Sequence, residues 1–327
     1  MPRPPKVFWV SLLVIAAVVA LYGGSWVWWW SDVSAAQNCN KLKQWHEADA
    51  KLRQAEAISQ PFAALDFRYN ASKFLRASTY VLAGQQSQAE PLLADVLEAY
   101  SGANKPAFPK YVQVLIAYGS VYVSQYRMAQ AIPMYETALR DLEANKEVET
   151  KDGCTVVHML AKLNRDQGLI DKASPFFKRS IELRRKVYGS NSPEVASATY
   201  DFGFAKYIGK DYEGASQLFS EAGKIGDPKL QYAARNALAA CDLQLGKQAD
   251  ATALFQQSLA NKPAGLEHPS ITYTLGRLVR IFSEQKNFEY ATRFLQQATV
   301  INKQFKQTDD PDFREATVVY ASRTASK

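Results

Sequence analysis

The chain has 327 residues, of which 47% are hydrophobic and 22% charged, and a formal net charge of +7. This composition excludes a disordered chain and allows one extended repeat domain or two compact ones. Lys/Arg and Asp/Glu are interspersed with no basic run, so no nucleic-acid partner is expected. Three cysteines are too few for a disulfide scaffold and their spacing matches no zinc site, and the three histidines, His46, His158 and His268, could form a metal centre only if the fold gathered them.

The first element is Val7–Trp30, VFWVSLLVIAAVVALYGGSWVWWW, 24 residues without a charge. A helix of that length spans about 36 Å, against a hydrocarbon core of about 30 Å. Trp26, Trp28, Trp29 and Trp30 at its far end read as an aromatic belt. The expectation over residues 1–36 is a cytoplasmic stub followed by one transmembrane helix, with the lipid bilayer as a partner through Val7–Trp30. Arg3 and Lys6 ahead of the span place the amino terminus in the cytoplasm and the rest across a membrane, in a bacterial periplasm or at a cell surface. The rival reading is a cleaved signal peptide ending near Val33-Ser34-Ala35.

Residues 37–69 follow as a capping helix or a partial repeat, in which Ala36, Ala48, Leu52 and Ala55 keep a spacing that returns downstream. Over residues 70–302 that spacing becomes an array. A small residue is followed by Ala twelve later, a bulky residue four further on, and a small residue three beyond that. The copies are Ala77, Ala89, Leu93, Val96; Gly119, Ala131, Tyr135, Ala138; Ala161, Ala173, Phe177, Ser180; Gly203, Ala215, Phe219, Ala222; Ala239, Ala251, Phe255, Ser258; and Val279, Ala291, Leu295, Ala298. The alanines at 89, 131, 173 and 215 repeat every 42 residues, and Ala251 and Ala291 follow after 36 and 40. Apolar residues at three- and four-residue spacing on both sides of Gly84, Gly168, Lys210 or Gly246 predict paired helices, with small residues where two axes cross closely. One such pair cannot bury its apolar face, so about six copies must stack. Residues 303–327 break at Asp309-Asp310-Pro311 and resume from Phe313 as a closing helix and tail.

These residues resemble the tetratricopeptide repeat, in the 42-residue variant seen in kinesin light chains. The segment LAKLNRDQGLIDKASPFFKRSIELRRKVYGSNSPEVA, residues 160–196, carries the resemblance best. Arg76 and Lys206 stand where an apolar residue is usual, and Tyr126 replaces the turn glycine. The resemblance implies an all-α, superhelical α-α repeat solenoid, here preceded by the transmembrane helix. It also implies a protein or peptide partner held on the concave face that the first helix of each unit lines.

No active site emerges from the chain. His46-Glu47 lacks the second histidine of a zinc-protease helix, and no phosphate loop, nucleophile elbow or kinase signature is present. The expectation is therefore no enzyme, with no catalytic residues, no cofactor and no metal. For the groove, Tyr200, Phe204 and Tyr207 recur on one face of a first helix, and Lys162 and Arg165 hold the matching offsets one unit earlier. His158 and Asn236 complete the candidate partner-binding set, and the basic pair would favour an acidic segment. The competing reading is that the rings pack inside the solenoid. The function expected is a membrane-anchored scaffold assisting assembly or secretion in a bacterial envelope; the alternative is a cytosol-facing membrane receptor or co-chaperone of the import-receptor type.

Overall fold

The computed structural model describes residues 6–64, 66–100, 111–265, 268–304 and 311–325, with side chains from residue 20 onward except at 268, 269, 311 and 312. Among the described residues every regular element is helical, and the chain divides into two bodies, Met1–Val148 and Glu149–Lys327. The fold is an all-α helical repeat solenoid.

The first body holds α1 (Lys6–Lys41), α2 (Trp45–Ser59), α3 (Arg68–Leu82), α4 (Gln86–Glu98), α5 (Tyr111–Ser124) and α6 (Met128–Ala144). They pair as α1–α2, α3–α4 and α5–α6. Each pair turns through one left-handed residue: Lys43 at φ 60°, Gly84 at 73° and Tyr126 at 59°. Ala36, Ala48, Leu52 and Ala55 are buried on one another, so the end of α1 and α2 form a unit in the same register as those that follow.

That packing bears on the anchor. Among the described residues no helix is long and apolar enough to cross a membrane, so the single-pass localisation, the bilayer partner and the transmembrane part of the fold class are corrected. The side chains of Val7–Val19 lie outside the described residues. Those that follow explain why the aromatic belt fails. Trp29 is 4% exposed and its indole N–H donates to Ser72 Oγ at 2.8 Å. Trp26 packs edge-on against Phe67, and the guanidinium of Arg68 lies 4.4 Å from the Trp26 ring centre. Arg68 is itself fully buried and meets the Asp66 carboxylate at 2.8 Å. Two of the four indoles are thus committed to protein, while Trp28 and Trp30 remain exposed.

The second body holds α7 (Lys151–Asp166), α8 (Ile170–Tyr188), α9 (Pro193–Ile208), α10 (Tyr212–Ile225), α11 (Pro228–Gln244), α12 (Gln248–Ala260), α13 (His268–Glu284), α14 (Phe288–Gln304) and α15 (Pro311–Thr324). Local sequence starts these helices. Ser192 and Asp227 cap the amide nitrogens of Val195 and Leu230, each followed by a proline whose missing N–H costs nothing in a first turn. The turns again fall on one left-handed residue per pair: Gly168, Lys210, Gly246 and Lys286.

The spacing pattern is the packing pattern. All the repeat alanines, Ala89, Ala131, Ala173, Ala215, Ala251 and Ala291, are fully buried. At Gly119 an added Cβ would stand 2.7 Å from the Tyr135 ring, and at Gly203 it would stand 2.9 Å from Phe219. The small residue therefore seats the bulky one of its own pair. Phe177 also stacks on Phe202 of the following pair at 5.5 Å, so one ring fills the gap on both sides. Leu295 departs from the pattern: it is half-buried, and Phe294 takes its place against Phe282.

Candidate functional site

The first helices α9, α11 and α13 bring one wall each to a cavity of about 490 Å³. From α9 come Tyr200, Phe204 and Tyr207, spaced four and three residues apart and so on one face. From α11 come Tyr232, Asn236 and Ala240, with Ser270, Tyr273 and Arg277 from α13. Phe219, on α10, closes the floor, with Tyr200 against it at a centroid distance of 5.2 Å. Phe204 is 42% exposed at the rim. Tyr232 Oη and Thr274 Oγ1 share a hydrogen bond at 2.7 Å, and Thr274 lies 3.1 Å from Asn236 Oδ1 as a donor, which ties α11 to α13.

Burial sets the chemistry of the phenols. It pushes Tyr200 up to about 12 and raises Tyr207 as well, so both remain protonated at neutral pH. Among the described residues lining the cavity Arg277 alone carries a charge, and its guanidinium lies 5.0 Å from the Tyr273 ring centre.

The structure separates the residues that the sequence grouped. Tyr200, Phe204, Tyr207 and Asn236 line the cavity; His158, Lys162 and Arg165 do not. His158 is 7% exposed, between Ser180 Oγ on Nδ1 at 3.3 Å and Asp201 Oδ2 on Nε2 at 3.0 Å. Arg165 meets Asp166 at 2.7 Å and Asp201 at 3.7 Å, and its guanidinium lies 5.5 Å from the Phe204 ring centre. Arg165 is thus set against carboxylates, and neither it nor Lys162 lines the cavity. Burial alone would raise Asp201; the His158 hydrogen bond and the charges of Lys162 and Arg165 outweigh it and hold the carboxyl below its ordinary value.

Ser180, His158 and Asp201 have the residue types of a hydrolase triad, but Ser180 is fully buried, so no substrate reaches its hydroxyl. Among the described residues no group of three or more His, Cys, Asp or Glu could hold a metal ion. Sequence reasoning missed Tyr232, Tyr273 and Arg277. The offsets that give Tyr200 and Phe204 on α9 lead on α13 to Gly276 and Arg280, and α15 covers that stretch: Glu315 meets Arg280 at 2.6 Å, and Ala316 is buried beside Gly276. Among the described residues, those lining a second hollow of about 500 Å³ between α12, α13 and α14 include no aromatic.

Residues 154–225 match the family model of the tetratricopeptide repeat. No curated protein matches the chain. Among solved structures, RapI in its apo form is similar at 12% identity and a TM-score of 0.69, over 89% of this chain and 80% of that one. BtubC (BKLC) from P. vanneervenii is similar at 18% identity and a TM-score of 0.55, over 73% and 93%. A putative kinesin light chain from Podosopora anserina with nearly identical TPR-like repeats is similar at 18% identity and a TM-score of 0.51, over 60% and 93%. At these identities the likeness shows the fold.

Proposed function

We propose that this tetratricopeptide-type chain is a non-catalytic binding scaffold that holds a protein segment in the groove of α9, α11 and α13. One observation supports this above the others: an open cavity of about 490 Å³ walled by Tyr200, Phe204, Tyr207 and Tyr273 with Arg277 among them. Tyr and Arg dominate binding hot spots because they combine large contact area with hydrogen-bonding tips. A packed interior would have consumed that volume. The envelope-assembly and import-receptor roles require a membrane anchor, and no helix among the described residues is long and apolar enough to supply one.

A photoreactive benzoylphenylalanine placed at Phe204 in the full chain tests the reading in the native cell. Discrete adducts of protein size are expected from position 204 and not from Lys178, an exposed residue of α8. Equal yields at the two positions, or none at 204, would remove the groove as the working surface.

A further inference from the structure

Tyr200 and Phe204 on α9, Asn236 and Ala240 on α11, and Gly276 and Arg280 on α13 hold the same two places in the repeat. On α9 and α11 those places line the cavity. On α13 a segment of the chain itself takes them: Ala316 of α15 is buried beside Gly276, and Glu315 meets Arg280 at 2.6 Å. Two small residues let the axes of α13 and α15 come close. Arg277, next to Gly276, borders both the cavity and the α15 contact. The cavity and the seat of α15 are therefore neighbouring stretches of one inner face.

α15 is lightly held there. Among its described side chains Ala316 alone is buried, whereas α14 buries Ala291, Ala298 and Asn302. Phe313 and Tyr320 are half-buried against the α13–α14 core, and Tyr320 Oη shares a hydrogen bond with Thr292 Oγ1 at 2.8 Å. Both side chains of the Arg280–Glu315 pair are open to solvent, at 41% and 52% exposure, so water and salt weaken it. An element with so little buried surface opens at a lower free energy than the core beneath it. α13 stays packed on α14 through Phe282 and Phe294, with ring centres 5.8 Å apart, so its inner face outlasts the departure of α15.

Resting on the groove reading above, we infer that α15 is an internal occupant of the partner's groove. It is a displaceable strap over Gly276 and Arg280, and a partner segment that runs past Arg277 competes with it for α13.

The test uses the full chain, with amide hydrogen exchange as one readout and the adduct yield of benzoylphenylalanine at Phe204 as the other. In wild type the amides of α15 should exchange about tenfold or more faster than those of α13 and α14, as an element that opens on its own does. Ala316→Lys sets an ammonium against Gly276 and leaves α13 unaltered. It should strip α15 of protection while α9, α11 and α13 keep theirs. The adduct yield at 204 should then rise about threefold or more, because a larger fraction of chains is open to the partner. Glu315→Arg, which sets two guanidiniums together, should speed α15 exchange more mildly, and adding Arg280→Glu should restore it. That pair reads the strap even where Ala316→Lys does not fold. Exchange of α15 as slow as that of α13 in wild type would make it a fixed cap and overturn the inference. A released α15 with unchanged yield at 204 would also overturn it and leave the groove reading standing. No adduct at 204, with α15 held or released, would remove the groove reading and the inference with it.

Discussion

At the residue scale, the charged groups that break the repeat pattern are each answered by a partner. Arg76, where an apolar residue is usual, bonds Asp49 at 3.0 Å and also Glu56. Lys206 meets Asp211 at 2.7 Å. His158 is the residue with a pH consequence. Burial holds its imidazole below the ordinary value, against the opposite pull of Asp201. In the unfolded chain it takes a proton near pH 6.5, and in the folded chain only at lower pH, so between those two values the unfolded state binds more protons. Stability then falls as pH drops below about 6.5, and Asp201, also held below its ordinary value, adds a loss in the same direction below about pH 4. Melting temperatures of wild type and His158→Gln from pH 7 to pH 5 check this. The wild-type value should decline over that window and the variant's should stay flatter; parallel curves would show that His158 does not govern the decline.

At the element scale, the helix pairs were legible because one small-to-large spacing encodes a contact: Gly119 under Tyr135 and Gly203 under Phe219. Gly119→Ala should therefore destabilise the chain by about 1–3 kcal/mol, the usual cost of overpacking a filled site. The turns make the opposite prediction. Tyr126 sits at φ 59° and is 87% exposed, a backbone state that costs a non-glycine residue about 1 kcal/mol. Tyr126→Gly should raise the denaturant midpoint, and a fall would mean that the ring holds something the exposed turn does not show. What the sequence did not reveal at this scale is the start and the end of the array. The apolar run of α1 reads as a membrane span because hydropathy cannot register that Trp29 and Trp26 turn onto Ser72 and Arg68 from a later helix. Likewise, nothing in local periodicity shows that α15 covers α13 at Gly276, which moves the cavity wall to Tyr273 and Arg277.

At the scale of the molecule, two bodies share one repeat register, and the candidate groove belongs to the second. Half of it could be read from offsets alone, since Tyr200, Phe204 and Tyr207 share a helical face. The other half depends on how three helices meet, which also decides that Arg165 reaches Asp201 and that neither Lys162 nor Arg165 lines the cavity. The measurement that tests the central claim most directly is the affinity of an array-selected peptide for wild type, Phe204→Ala and Lys162→Glu, with helicity checked by circular dichroism. Loss of a hot-spot aromatic should weaken binding about tenfold or more, while Lys162→Glu should leave it within about twofold, both chains staying helical. Unchanged affinity for Phe204→Ala would contradict the account, because the rim aromatic of the groove would then touch nothing that binds.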